Sequence, residues 1–225
     1  MEIIGDKARI EKLSESEYEF HFDKYFSTGW DIFRKSPGQL ILYTVIVLGI
    51  SIGIGLIPIL GGIAGVIIGP ALSAGFYVGI RKLDTTGTLE IGDFFKSFDF
   101  LLQLFLFALV SGLLVLLGTL LLVLPGIWLS IAISFGYPLV VLAKLEFWDA
   151  IKNSAKIVTK KWFHFFGMLI LLALINMVGV LFLGLGLLIT IPFTYGVLYT
   201  CYKDIIGFGG AETQDVTDHL VDDQI

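Results

Sequence analysis

Four lysines, Lys152, Lys156, Lys160 and Lys161, recur at helical spacing along one side of a short amphipathic segment. Ammonium groups in such a row can hold the phosphates of anionic lipid headgroups, at up to about 1 kcal/mol per lysine near a membrane surface. Glu146 and Asp149 offset part of that charge, and the ordinary role of such lysines is to keep a connection on the cytoplasmic side. A second candidate is Asn176, an amide deep in a long uncharged stretch. An amide there either bonds a neighbouring helix, for about 0.6 kcal/mol on average and up to about 1.7, or meets a ligand. The third feature is a row of small residues, Gly61, Gly65 and Gly69, with Gly49 and Gly53 before it and Gly75 and Gly79 after it. Such rows let helix backbones approach closely in lipid, and close packing is the simpler reading here.

Sets that would do covalent or acid–base chemistry are missing. His21, His164 and His219 fall in separate polar blocks, and the single Cys201 leaves no intrachain disulfide and no cysteine metal site. There is no His-Glu-x-x-His, no phosphate loop and no pair of acids within an apolar stretch. This predicts a protein that is not an enzyme and has no metal or cofactor.

The elements that must position these residues are written in the distribution of charge. All 35 charged residues lie in four blocks, 2–35, 81–99, 144–161 and 203–223, and the stretches between them hold 45, 44 and 41 residues. A helix needs about 20 apolar residues to cross a bilayer, and a charge at its centre costs roughly 2.5–3.5 kcal/mol even on mild scales. Each stretch is therefore long enough for two crossings. Breaks at Pro58 to Gly62, Leu124-Pro125-Gly126 and Gly184-Leu185-Gly186 predict helices over about 36–58, 61–83, 100–124, 126–145, 162–183 and 185–204. The expected fold is an all-α polytopic membrane protein, six transmembrane helices as three hairpins. All 15 Lys and Arg fall on one side of that arrangement, which predicts a cytoplasmic (inner) membrane location with both termini cytoplasmic. The first thirty residues, charged throughout, lack the apolar run of a secretory signal.

Amphipathic, interfacial lead-in helices precede the hairpins. Phe22, Tyr25, Phe26, Trp30 and Phe33 form the apolar side of the first, with Asp23, Lys24, Ser27, Asp31 and Arg34 opposite. Ser36-Pro37-Gly38-Gln39 predicts a capping box at its end. In the third, Trp148, Ile151, Ala155, Val158 and Trp162 face one way and Asp149, Asn153, Lys156 and Lys160 the other; Asp93 to Phe98 is a shorter version. Pro70 stands seven residues before Tyr77 and Pro192 seven before Tyr199, with Arg81 and Lys203 following at one offset, so the chain reads as a degenerate threefold repeat. Pro70, Pro138 and Pro192 release the carbonyls of Val66, Ser134 and Leu188, a pattern that marks some transporter sites. The simpler expectation is that the hydroxyls of Ser73, Ser134 and Thr194 repair those kinks.

Leu124-Pro125-Gly126-Ile127-Trp128, Trp148-Asp149-Ala150-Ile151-Lys152-Asn153-Ser154, the run from Gly184 to Pro192 and the closing Tyr202-Lys203-Asp204 resemble uncharacterised bacterial six-helix membrane proteins. They are similar to the membrane domain attached to some glycerophosphodiester phosphodiesterases. The resemblance covers roughly 29–206 and implies a helical membrane architecture. The catalytic barrel of those fusions needs acidic and histidine metal ligands in a further domain, so phosphodiesterase activity is not carried over.

The expected organisation is a polar cytoplasmic segment over 1–21, a membrane domain over 22–206 and an acidic cytoplasmic tail over 207–225. The expected role is a non-catalytic structural, regulatory or lipid-associated module, with anionic membrane lipids as partners and no nucleic acid; a protein partner or homo-oligomer is left open. The alternative is a small carrier or channel for an uncharged or lipid-like molecule. A polar cavity reaching Asn176 favours the alternative, and a dry bundle favours the module.

Overall fold

The computed structural model describes residues 10, 12, 14–57 and 60–208. Pro58, His219 and the acidic tail from 209 onward lie outside the described residues, as does most of the segment before 14. Among the described residues every regular element is helical, as uncharged stretches in lipid require: their backbone polar groups must be satisfied within the segment. In chain order these are α1 (Phe22–Lys35), α2 (Pro37–Gly55), α3 (Leu60–Thr86) and α4 (Ile91–Phe94), which runs into a 3-10 segment, Phe95–Phe100. Then follow α5 (Leu101–Leu121), α6 (Val123–Ala132), α7 (Gly136–Val141), α8 (Phe147–Lys160), α9 (Trp162–Leu181) and α10 (Leu187–Ile205). Five stretches are long and apolar enough to cross a membrane: Pro37–Gly55, Gly61–Thr86, Ile91–Leu121, Val123–Val141 and Trp162–Leu181. At 19 residues α10 matches α2 in length; threonines, tyrosines, Lys203 and Asp204 make it less apolar. The chain is an all-α polytopic membrane protein.

Three local expectations are corrected. Ser36 occupies the N-cap of α2 and Pro37 its first turn, but the Ser36 side chain makes no cap bond. A capping box forms instead between Glu90 and Asp93 at α4. The outer turn of the second hairpin falls at Leu122, which is extended at φ −161 and ψ 143, rather than at Leu124-Pro125-Gly126. Pro125 sits in the first turn of α6, where its missing N–H costs nothing. Gly126 is a packing residue: a Cβ there would run into Thr119 of α5. Finally, the helix expected over 126–145 breaks at Ile133-Ser134-Phe135, and Ser154 of α8 holds both ends of the break. Its hydroxyl donates to the Ala132 carbonyl at 2.8 Å and accepts from the Phe135 amide at 3.1 Å, so two groups freed by the break stay bonded.

The three hairpins close a ring: α2 packs on α3, α3 on α5, α5 on α6, α6 on α9, α9 on α10, and α10 back on α2. Second helices lie inside. In the 18-residue apolar windows, 50% of residues are buried for Gly61–Thr86 and 44% for Val123–Val141, against 17%, 17% and 22% for the first helices of the hairpins. In α10 every residue from Gly196 to Tyr202 is buried, as expected of a helix enclosed on all sides. The outer faces carry exposed Ile52, Leu120, Leu121 and Leu183, suited to lipid.

Each lead-in element rests on the second helix of a hairpin. The α4 and 3-10 segment lies on α3, and α8 on α6 and α7; α1, with no hairpin before it, lies on α10 of the last one. Backbone closeness makes that closing joint: a Cβ on Gly29 would stand 2.8 Å from the Val197 amide nitrogen, and one on Gly196 2.9 Å from the Gly29 carbonyl. The buried face of α1 is Tyr25, Gly29, Ile32 and Phe33, so Gly29 and Ile32 join the aromatic stripe read from sequence while Trp30 is exposed. In α8 likewise Asn153, expected on the polar side, is buried and donates to the Asp149 carbonyl at 2.8 Å, while Trp148 is exposed.

Carboxylates fasten the joints. Asp204 takes the Lys24 ammonium and the Tyr25 hydroxyl, the latter at 2.8 Å, with the His21 ring 3.2 Å away. Burial pushes the Tyr25 phenol well above its usual range, so it keeps its proton and remains the donor. Asp84 at the end of α3 accepts from Tyr199 at 2.9 Å and Lys203 at 2.8 Å. Asp93 joins α4 to α3 through Lys82 at 2.7 Å. The stretch before α1 is packed too: Tyr18 donates to the Ile157 carbonyl at 2.8 Å, Lys160 to the Ser16 carbonyl at 2.6 Å, and Phe20 stands edge-on to Phe165 at 5.1 Å. The packed unit thus reaches back past Phe22.

Candidate functional site

A partly open cavity of about 450 Å³ lies between α2, α3, α7, α9, α10 and the break between α6 and α7. Each second helix brings a hydroxyl and a tyrosine to it: Ser73 and Tyr77, Ser134 and Tyr137, Thr194 and Tyr195. They stand close to Pro70, Pro138 and Pro192 in sequence. Among the described residues lining the cavity there is no Asp, Glu, Lys, Arg or His. Stacked aromatics make one wall, with Phe76 on Tyr195 at 4.4 Å and 5° and Tyr77 edge-on to Tyr195 at 5.3 Å.

Asn176 reaches this cavity from α9. Its amide nitrogen donates to the Leu172 carbonyl at 2.8 Å and to the Thr194 hydroxyl at 2.7 Å, which makes the interhelical bond expected of it. Its Oδ1 is buried without a protein partner. Ser134 Oγ is in the same condition. The expected repair of the proline kinks does not occur at these hydroxyls: Thr194 donates to the Thr190 carbonyl at 2.8 Å rather than to Leu188, and Ser134 bonds nothing in the protein. Buried polar groups without partners cost roughly 1–3 kcal/mol each; among the described residues Asn153 Oδ1 and Thr190 Oγ1 share this condition away from the cavity, while Asn176 and Ser134 are the two whose residues line it. A neighbouring hollow of about 370 Å³ shares Ser134 and Tyr137 with it and holds Ser111, whose hydroxyl is also buried and unpartnered.

The other sequence candidates lie elsewhere. Lys152 is 3.4 Å from Asp149 and Lys160 is bound to Ser16. Lys160 and Lys161 border a surface hollow of about 620 Å³ with Trp128, Trp162 and His164; Trp162 donates to the Trp128 carbonyl at 3.3 Å. Lys156 points outward from α8. None of the four lysines lines the 450 Å³ cavity. The glycine row divides. Gly61 packs directly against the Ile54 carbonyl across the first hairpin; Gly65 has only the Ile54 side chain at 3.9 Å, and Gly69 has open space within 4 Å. The close helix contacts that sequence reading missed are Gly29 with Gly196, and Gly179 with Gly186, where a Cβ on Gly186 would stand 2.6 Å from the Gly179 Cα.

The constellation around Asn176 was missed as a set. Its signal is the recurrence, beside each of three prolines, of a hydroxyl and a tyrosine in otherwise apolar helices. No protein family, curated protein or solved structure matches the chain, so the resemblance to bacterial six-helix membrane proteins rests on the residues quoted for it.

Proposed function

We propose that this is a non-catalytic, six-crossing protein of the cytoplasmic membrane that binds a small uncharged molecule within its bundle, as a carrier or channel. One observation carries the reading: Asn176 Oδ1 and Ser134 Oγ are buried and unpartnered, and both belong to residues that line the same 450 Å³ cavity. A bundle built only to pack would fill that space or satisfy those atoms. Among the described residues no charged side chain lines the cavity, which argues against proton or ion coupling, because such sites carry intramembrane ionisable groups. Pro70 and Pro192 lie inside continuous α3 and α10, contrary to the expected breaks; the one discontinuous second helix, interrupted at Ile133-Ser134-Phe135, brings Ser134 to the cavity and agrees with a carrier scaffold.

The lipid-associated module is the second reading, favoured by the hollow where Lys160 and Lys161 meet Trp128, Trp162 and His164. The two readings separate in one experiment. The protein is extracted with its native lipid and what it retains is identified by mass spectrometry for wild type, for Val47→Trp, which fills the cavity, and for the four lysines changed to Gln. Loss of a neutral compound in Val47→Trp alone supports the carrier or channel; loss of anionic lipid in the lysine variant alone, with nothing lost from Val47→Trp, would replace it with the module.

A further inference from the structure

Resting on the cavity reading above, we infer that the ligand is an uncharged alcohol with an apolar body, its hydroxyl held between Asn176 and Ser134. The orientation of the Asn176 amide is fixed by its neighbours. Both of its N–H groups are used, on the Leu172 carbonyl at 2.8 Å and on Thr194 at 2.7 Å. Thr194 has already given its own proton to the Thr190 carbonyl, so towards Asn176 it can only accept. Turning the amide over would set Oδ1 against both acceptors, and it is therefore held as found. What remains unused at Asn176 is Oδ1, a buried acceptor with no donor in the protein. Whatever fills the site must donate a hydrogen bond. Ethers and esters cannot.

An ammonium would donate, but no carboxylate lines the cavity to balance it, and an unpaired charge in such a setting is far costlier than an unpaired dipole. Ser134 Oγ completes the specification, since a hydroxyl is free both to donate and to accept. A ligand hydroxyl gives a proton to Asn176 and takes one from Ser134 while carrying an apolar body. Val47, Phe76, Ile191 and Leu198 line the rest and favour an aliphatic body. Water meets the polar groups equally well but leaves the apolar wall of Val47, Phe76, Ile191 and Leu198 hydrated, which an alcohol with an apolar body relieves.

The test compares 1-dodecanol with dodecyl methyl ether, nearly equal in shape and differing in the one proton. Each is offered to the purified protein in nanodiscs and the amount retained is read by native mass spectrometry, with Asn176→Leu and Ser134→Ala alongside and their folding checked by gel filtration and melting. Wild type should retain the alcohol about tenfold better than the ether, the factor that corresponds to about 1.4 kcal/mol. The advantage should vanish in Asn176→Leu and shrink in Ser134→Ala. The wild-type ratio decides even if a variant fails to fold. Equal retention of both compounds, displaced from both by Val47→Trp, would overturn the alcohol and leave the cavity reading standing. Retention of neither, or retention of both that Val47→Trp does not change, would overturn the two together.

Discussion

A glycine can be demanded by contact or merely tolerated, and this chain holds both kinds within a few residues of one another. Gly29 meets the backbone of Val197 and Gly196 at distances no side chain survives, whereas Gly69 has nothing near it. Sequence spacing alone favoured Gly61, Gly65 and Gly69, because three small residues at intervals of four form a visible row. The row at Gly29 and Gly196 is invisible in one dimension, since its two halves lie at opposite ends of the chain. Gly29→Leu should therefore lower stability by about 1–3 kcal/mol, the usual range for overpacking, and Gly69→Leu should leave it unchanged. Thermal unfolding of both variants in one detergent checks this; equal melting would mean that α1 does not cross α10 through glycine.

Among the elements, helix positions were legible because lipid excludes charge from long runs, and the hairpin pattern followed from where those runs break. Helix ends were less so. Pro125 looked like a turn, yet proline is equally at home in the first turn of a helix, and the reversal needed only Leu122. The break in the sixth helical stretch could not be read at all, because its support comes from Ser154, 19 residues away from Phe135. The same limit hid the cavity: single hydroxyls at Ser73, Ser134 and Thr194 look like kink repair until three hairpins bring them around one space. Ser154 is fully buried and serves two backbone groups, so Ser154→Ala should strand a carbonyl and an amide and cost about 1–3 kcal/mol. Ser154→Thr, which keeps the hydroxyl, should cost less. If hydrogen exchange at Phe135 and Gly136 is the same in Ser154→Ala as in wild type, the serine does not hold the break.

For the whole molecule, the ion pairs of Asp84, Asp93 and Asp204 gather where the second helices end and the lead-in helices lie, while the opposite turns present exposed Val123 and Leu185. The proposed orientation puts that charged side in the cytoplasm, on the strength of its basic residues. An even number of crossings returns the chain to the side it started from, and α10 decides the parity: it is long enough to cross, but its composition keeps it out of the set of clearly apolar spans. Its enclosure by α1, α2, α3 and α9 is what the proposed sixth crossing needs, since a helix with fewer apolar residues then faces protein rather than lipid. Cysteine labelling can settle the parity because the native Cys201 is fully buried and should stay silent to an impermeant reagent. Val123→Cys and Leu185→Cys should react in intact cells, and Thr86→Cys and Lys156→Cys only after lysis. A peptide tag fused after Ile225 should likewise be reached by antibody only after permeabilisation. A tag open to antibody on intact cells, with Leu185→Cys still labelled from outside, would mean that α10 stays on the outer side and that the chain crosses five times.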